Sequence, residues 1–313
     1  MKKLIVTIPA YNEEASIAEV IKSIPRKITG IDKVEVMVLS DGSTDQTMKV
    51  ARKAGADHVL ENPHNMGLAK TFSNLMQYAY EAGADYVVNT DADNQYDQSE
   101  IPKLVKPLVN EGADMVLGNR QVNTLGHMPL SKKIGNIIGS WTIRMLSGTK
   151  VIDASTGFRG YSRRFIKSLH LFSSHTYTHE TIVFAANHGM KVVEVPIIFR
   201  VRTNGQSRLI GNIWTHIQKS GLVIMRSVLM YNAYKFLVWA GALISLGGVA
   251  IGVRYIYLLY IIQSEGDHVQ SLILASILIS IGFSTIITGV LADLIKINRI
   301  LLEDINSKLK NKR

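Results

Sequence analysis

Two long apolar runs near the end of the chain constrain its architecture more than any other feature. The first, FLVWAGALISLGGVAIGVRYIYLLYII (236–262), is interrupted only by Arg254; the second, VQSLILASILISIGFSTIITGVLA (269–292), carries no charge. Each exceeds the roughly 20 residues a helix needs to cross ~30 Å of hydrocarbon, so they read as two transmembrane helices. The connector QSEGDH is acidic and the tail from Lys296 onward is basic. The positive-inside rule puts that tail in the cytoplasm and the connector outside, and a hairpin returns the N-terminal part to the cytoplasmic side. Met1-Lys2-Lys3 is basic, but the apolar run Leu4–Ile8 stops at Pro9, too short for the core of a signal peptide. The expectation is a multi-pass protein of the cell (plasma) membrane with its N-terminal domain cytoplasmic. Arg254 lies near Tyr255, Tyr257 and Tyr260, where it reads as snorkelling to an aromatic belt, with a functional partner as the other reading. Upstream, GNIWTHIQKSGLVIMRSVLMYNAYK (211–235) mixes helically spaced apolar residues with His216, Lys219, Arg226 and Lys235, the pattern of a helix lying in a membrane interface.

The first 210 residues alternate strand and helix signals. LIVTI (4–8), VEVMVLS (34–40), DHVLE, ADYVVNTDAD (84–93) and ADMVLGNR (113–120) are apolar, β-branched runs that read as strands. Helically spaced segments separate them at about 14–24, 45–55, 67–83 and from Ile101. This alternation predicts an α/β fold with a mostly parallel sheet covered by helices on both faces, whose ligands sit beyond the C-terminal strand ends. The notable polar residues fall there: Pro9 to Glu13, Asp41, Asp91 to Asp93, and Gly118 to Arg120. The net charge of +10 favours anionic partners. No aromatic-interleaved basic block accompanies it, so nucleic acid is not the expected partner. The chain has no cysteine, which excludes disulfides, thiolate metal sites and cysteine nucleophiles.

Asp91-Ala92-Asp93-Asn94-Gln95 follows an apolar strand. Two carboxylates one residue apart can hold Mg²⁺ or Mn²⁺ through oxygen, usually together with substrate phosphates. Asp41, in Ser40-Asp41-Gly42-Ser43-Thr44-Asp45, stands at a strand end where it can accept hydrogen bonds from a base or ribose, and Asp45 reads as an N-cap. Glu180, in Tyr177-Thr178-His179-Glu180, is a candidate base or holder of sugar hydroxyls, with a plain structural acid as the alternative. His175 and His179 are four residues apart but lack a third zinc ligand.

Taken together, these segments resemble glycosyltransferase family 2, of GT-A fold: IPAYNEE, then DGSTD, then Asn65-Met66-Gly67, then DAD. Gly118-Asn119-Arg120, Asp153 to Arg159, and Arg202-Thr203-Asn204-Gly205-Gln206-Ser207-Arg208 resemble segments of the dolichol-phosphate mannose synthases and their bacterial polyprenyl-phosphate relatives. The resemblance implies a Rossmann-like GT-A catalytic domain (1–210), an amphipathic juxtamembrane stretch (211–235), a two-helix hairpin (236–295) and a basic tail (296–313). It implies that Pro9, Tyr11, Glu13, Asp41 and Asp91 contact the nucleotide. Asp91, Asp93 and Gln95 would meet the metal. Arg120, Arg202, Ser207 and Arg208 would surround the acceptor and donor phosphates. Lys132 or Lys133 stands where relatives carry an acceptor-phosphate arginine, a change that keeps charge but loses a bidentate fork. Asp93, Arg202 and Glu180 are the residues it points to for catalysis.

The implied reaction is inverting transfer of one sugar from a nucleotide sugar, a UDP-hexose or UDP-N-acetylhexosamine or else GDP-mannose, to polyprenyl phosphate. The Q-x-x-R-W segment of processive synthases is missing from the sequence, which points to a single transfer. The alternatives are another lipid or protein acceptor, or a non-catalytic membrane scaffold; homo-oligomers fit either.

Overall fold

The computed structural model describes residues 1–126, 128–169, 171, 177–200, 233–260 and 269–310. They fall into two compact units, one within 1–225 and one within 226–313. Arg202, Ser207, Arg208, His175, the 211–232 part of the expected amphipathic stretch and the acidic connector lie outside the described residues.

The first unit is built on one seven-stranded sheet: β1 (Lys3–Ala10), β2 (Lys33–Ser40), β3 (His58–Glu61), β4 (Tyr86–Asn89), β5 (Met115–Asn119), β6 (Arg159–Ser162) and β7 (Val192–Pro196). Their spatial order is β3-β2-β1-β4-β6-β5-β7. Pairings are parallel except where β6 runs antiparallel to β4 and to β5, so the sheet is mixed but mostly parallel. The helices are α1 (Ile17–Ser23), α2 (Thr47–Lys53), α3 (Leu68–Glu81), α4 (Ile101–Asn110), α5 (Leu130–Ser147), α6 (Arg163–Ser168) and α7 (Thr178–Asn187).

β1 is buried from Leu4 through Ala10, as a central strand with both faces covered must be. Successive side chains alternate between faces. Leu4, Val6 and Ile8 join Val34, Val36, Val38 and Val88 against Ile17, Val20 and Ile21 of α1 and Ile101, Leu104 and Val105 of α4. The other face meets an aromatic layer: Phe72 of α3 stacks on Tyr177 at 3.8 Å and meets Tyr161 edge-on, and Phe165 of α6 links Tyr161 to Phe184 of α7. Each such side chain contributes about 1.5–3 kcal/mol by leaving water.

The second unit is a helical pair, α8 (Ala233–Tyr260) and α9 (Val269–Lys310). Both are long and apolar enough to cross a membrane, with mean hydropathies of 2.1 and 2.2 over their 18-residue apolar stretches. The two run antiparallel along a seam of small residues. A Cβ on Gly241 would stand 2.6 Å from the Gly282 carbonyl oxygen, and one on Gly248 would stand 2.8 Å from that of Ala275. Small residues let two helix backbones approach this closely. Arg254 is an exposed residue of α8. The helix α9 does not stop where the apolar run ends but continues through the polar stretch, because no glycine or proline follows Gly289 to end it.

Candidate active site

After β1 the chain builds β2 and β3 on one side and then returns to place β4 on the other. The sheet's switch point therefore lies between β1 and β4, where open α/β sheets bind ligands. Pairing of β1 with β4 ends at Thr7↔Asn89, whereas β1 stays paired with β2 as far as Ala10↔Ser40. The last rung is Thr90 N–H to the Thr7 carbonyl. Beyond it the two strands part and open a crevice. Pro9, two residues past Thr7, faces the same side, where its missing N–H leaves no ladder bond unmade.

The loops lining the crevice are laced together. Asn12, at φ 54°, donates its N–H to Ser43 Oγ and accepts the Thr44 N–H at 2.7 Å. Glu13 N–H donates to Thr47 Oγ1 and Gln46 N–H to Glu14 Oε2. Asp45 accepts the Thr47 N–H at 2.9 Å, but the N-cap position of α2 is Gln46, one residue later than expected, because the helix begins only at Thr47. Gly42, at φ +70°, admits no side chain: a Cβ there would meet the His64 backbone at 2.7 Å. Asp41 is buried and accepts from Asn62 Nδ2, Met66 N–H and Gly67 N–H, each at 2.9 Å. Its carboxylate thus shapes the Asn65-Met66-Gly67 turn. Of the other residues expected at the nucleotide, Pro9 is buried within β1 and Tyr11 is exposed.

The acidic turn leaves β4 at the crevice. Asn94 takes a left-handed conformation, φ 59°, which asparagine tolerates, and Asp93 Oδ1 accepts the Gln95 N–H. Burial pushes the Asp91 carboxyl up to about 7; the Asp93 and Glu13 charges add to that rise, while Arg120 and Arg159 oppose it. Gly157 lies against Asp91, where a Cβ would stand 2.8 Å from Oδ2 and 2.9 Å from Oδ1. Gly157 is fixed in turn: its N–H donates to the Tyr96 hydroxyl and its carbonyl accepts from Asn89 Nδ2. Farther along, the Gln95 carbonyl accepts the Arg200 N–H at 2.7 Å, and Arg200 pairs with Asp97.

Arg120 follows β5. Its guanidinium grips Asp153 bidentately at 2.7 and 2.8 Å, donates to Ser155 Oγ at 2.8 Å, and lies over the Phe199 ring. Burial would raise the Asp153 carboxyl, but Arg120 and the Asn136 amide outweigh it and hold the group below its ordinary value. Glu194 of β7 accepts the Asp153 N–H at 2.8 Å. Arg159, wholly buried, donates to the carbonyls of Ala154, Thr156 and Thr178 and to Thr181 Oγ1. It ties the 153–157 loop to the first turn of α7, which carries buried Glu180. Lys132 and Lys133 sit in the first turn of α5, and among the described residues no hydrogen bond or ion pair joins them to the acidic turn.

Asn89, Asn136 and Glu194 were not singled out by the sequence, and Arg159 was marked only as the end of the Asp153–Arg159 segment, with no role of its own. A polar Asn89-Thr90 ending an apolar strand, and an arginine inside GFRGYS, were the signals available. No three or more His, Cys, Asp or Glu side chains among the described residues could enclose a metal ion. Asp91 and Asp93 still fit a divalent cation shared with phosphate oxygens, because a half-buried carboxylate crowded by two others gains from a nearby cation.

The sequence profile of glycosyl transferase family 2 matches residues 5–169. The chain belongs to this family. This glycosyltransferase is 32% identical over 206 residues to the dolichyl-phosphate hexose transferase of Haloferax volcanii, covering 66% of this chain and 86% of that one. It is 29% identical over 217 residues to the UDP-N-acetylglucosamine–dolichyl-phosphate N-acetylglucosaminyltransferase of Methanococcus voltae, covering 63% and 85%. To the undecaprenyl-phosphate mannosyltransferase of Micrococcus luteus it is 27% identical over 221 residues, covering 67% and 89%. Its fold is similar to that of glucosyl-3-phosphoglycerate synthase from Mycobacterium tuberculosis, solved with Mn²⁺, UDP and glucosyl-3-phosphoglycerate: TM-score 0.54, 23% identity, 71% of this chain and 80% of that one.

Proposed function

We propose that this glycosyltransferase moves a single sugar, with inversion, from a nucleotide sugar to a polyprenyl phosphate at the cytoplasmic face of a membrane. The observation that carries the reading is the crowding of Asp91, Asp93 and Glu13 at the β1/β4 switch point, with Arg120 beside them. Relatives named for dolichyl- and undecaprenyl-phosphate acceptors support the choice of acceptor, and two helices long and apolar enough to span a bilayer support the location.

Asp91 and Asp93, with Gln95, would hold Mg²⁺ or Mn²⁺. A cation bound there neutralises charge gathering on the departing diphosphate. The 9–13 and 41–45 loops enclose the nucleoside, and Asp41 sets the wall of that pocket through the 65–67 turn. Arg120 is pre-aimed: three donated hydrogen bonds from Nε and Nη2 to Asp153 and Ser155 fix its guanidinium, so its Nη1 donors meet a phosphate without reorganising. Arg202, Ser207 and Arg208 are assigned to the same phosphates. The acceptor needs no strong base, since a phosphate monoester with a second pKa near ~6 is largely ionised at neutral pH. Buried Glu180 is assigned to sugar hydroxyls. UDP-sugars are the preferred donors, with GDP-mannose the alternative.

The test is to incubate the purified full chain with UDP-glucose, UDP-N-acetylglucosamine or GDP-mannose, undecaprenyl or dolichyl phosphate, and Mn²⁺. Acceptor-dependent release of one nucleotide, abolished by excess EDTA, is expected. Release without a lipid product, or full activity in EDTA, overturns the reading. Orientation is read separately by placing Ser264→Cys and Ser307→Cys in the cysteine-free chain. An impermeant thiol reagent on intact cells should label position 264 and spare 307.

A further inference from the structure

The helix α5 is inside out. Its inward face is polar around one buried isoleucine, Ile143: Ser140 is 1% exposed, its Oγ donates to Asn136 Oδ1 at 2.8 Å, and it accepts the Ala154 N–H at 3.0 Å. Asn136 Nδ2 donates to Asp153 Oδ1 at 2.9 Å, and Arg144 donates to the Val151 carbonyl at 3.2 Å. The outward face is apolar. Leu130, Ile134, Ile137, Ile138, Trp141 and Met145 are 48–75% exposed, and at 3.6 residues per turn they fall within an arc of about 100°. Helices of water-soluble domains place these faces the other way round, and a strip of six large apolar side chains is more than the scattered exposure a soluble surface carries.

The charge around the strip says what covers it. No Asp or Glu occurs between Asp114 and Asp153, while Arg120, Lys132, Lys133, Arg144 and Lys150 do. A cationic segment with an apolar strip matches an anionic lipid surface. A second copy of the chain would bring the same positive charge to meet itself.

We propose that α5 lies on the bilayer surface, its apolar strip among the lipid headgroups and upper acyl chains, and that Asn136 and Ser140 hold the 151–154 loop at that depth. This surface assignment stands on α5 itself. Its consequence rests on the acceptor reading above: Asp153, gripped from one side by Asn136 and from the other by Arg120, sets the arginine at the height where a lipid-borne phosphate presents itself.

The cysteine-free chain allows a direct test. Ile138→Cys, and separately Lys49→Cys on α2 as a solvent control, are labelled with an environment-sensitive fluorophore. The full chain is then reconstituted into vesicles of neutral and anionic phospholipid without substrate. The probe at 138 should emit at shorter wavelength and be quenched several-fold more by doxyl-labelled lipid than by iodide, with the opposite order at 49. Iodide quenching at 138 equal to that at 49 overturns the proposal. So does protection from both quenchers with energy transfer between differently labelled copies, which would make a second chain the occupant. Depth is read without turnover, so a lipid-buried probe on a protein that fails to glycosylate polyprenyl phosphate would sink the acceptor reading and leave this one standing. The paired variant Ile138→Asp/Trp141→Asp should raise the KM for long-chain acceptor about tenfold and leave the KM for nucleotide sugar unchanged; an unchanged acceptor KM counts against the proposal.

Discussion

The two ends of the central sheet treat their acids in opposite ways. At the N-terminal end of β2, Glu35 is 6% exposed and surrounded by cations: Lys3 and Lys33 at 2.7 Å and His58 at 2.9 Å. Burial would raise its carboxyl, but those hydrogen bonds more than offset burial and hold it at about 2. At the C-terminal end, Asp91 meets other acids and is pushed up to about 7. One end has matched its charges and the other has left its anions crowded. The first serves the fold. The second stores an electrostatic cost that protonation or a ligand of opposite charge relieves, the pattern expected where chemistry is done.

The contrast breaks most visibly at Asp91. Asp91→Asn should lower sugar transfer on the order of 10³-fold. In chelator it should leave the fold intact and raise the melting temperature. The raised carboxyl costs the folded protein stability as pH rises above its ordinary value of 3.8, in full above about 7, so the gain should appear over that window and vanish at lower pH. A variant that melts earlier at pH 8 would refute the stored cost.

Gly157→Ala offers a finer cut. The added methyl would press on both Asp91 oxygens, so transfer should fall roughly 10–100-fold through displaced geometry, with the apparent Mn²⁺ requirement raised. Wild-type turnover and metal dependence would show that the acidic turn gives way freely. At the other end, Glu35→Gln should cost about 2 kcal/mol at neutral pH and leave kcat unchanged. Its carboxyl is depressed in the folded state, so the stability it contributes is present above about 4.5 and lost as pH falls toward about 2. Chemical denaturation across that window should show the variant's stability falling less steeply with acid. Parallel profiles would remove Glu35 from the account.

The strands of the first half were legible in the sequence because apolar, β-branched runs ended by glycine, proline or acids mark buried parallel strands. β1 and β2 extend the expected runs by only a residue or two. β6 was not legible: RGYS carries a buried arginine whose partners are the carbonyls of a loop, and no spacing rule announces such partners. Asn89, Asn136 and Glu194 escaped for the same reason, as each acts through a residue 41 to 68 positions away or on a neighbouring element. Asp91, Asp93 and Arg120 stood out because they follow strands directly. The helix α5 went unread altogether, and spacing could not have oriented it, because an outward apolar strip has the same spacing as an inward one.

The unbroken run of α9 has a mechanical consequence. Forty-two residues at 1.5 Å each make a rod of about 63 Å, of which, on the membrane location proposed above, a bilayer core would hide only ~30 Å. The remainder is a stiff lever continuous with the buried half. A tilt of about 20°, ordinary for a membrane helix, swings an overhang of about 30 Å sideways by about 10 Å. Local bilayer thickness, by setting that tilt, would then steer where the basic end of the chain travels over the headgroups.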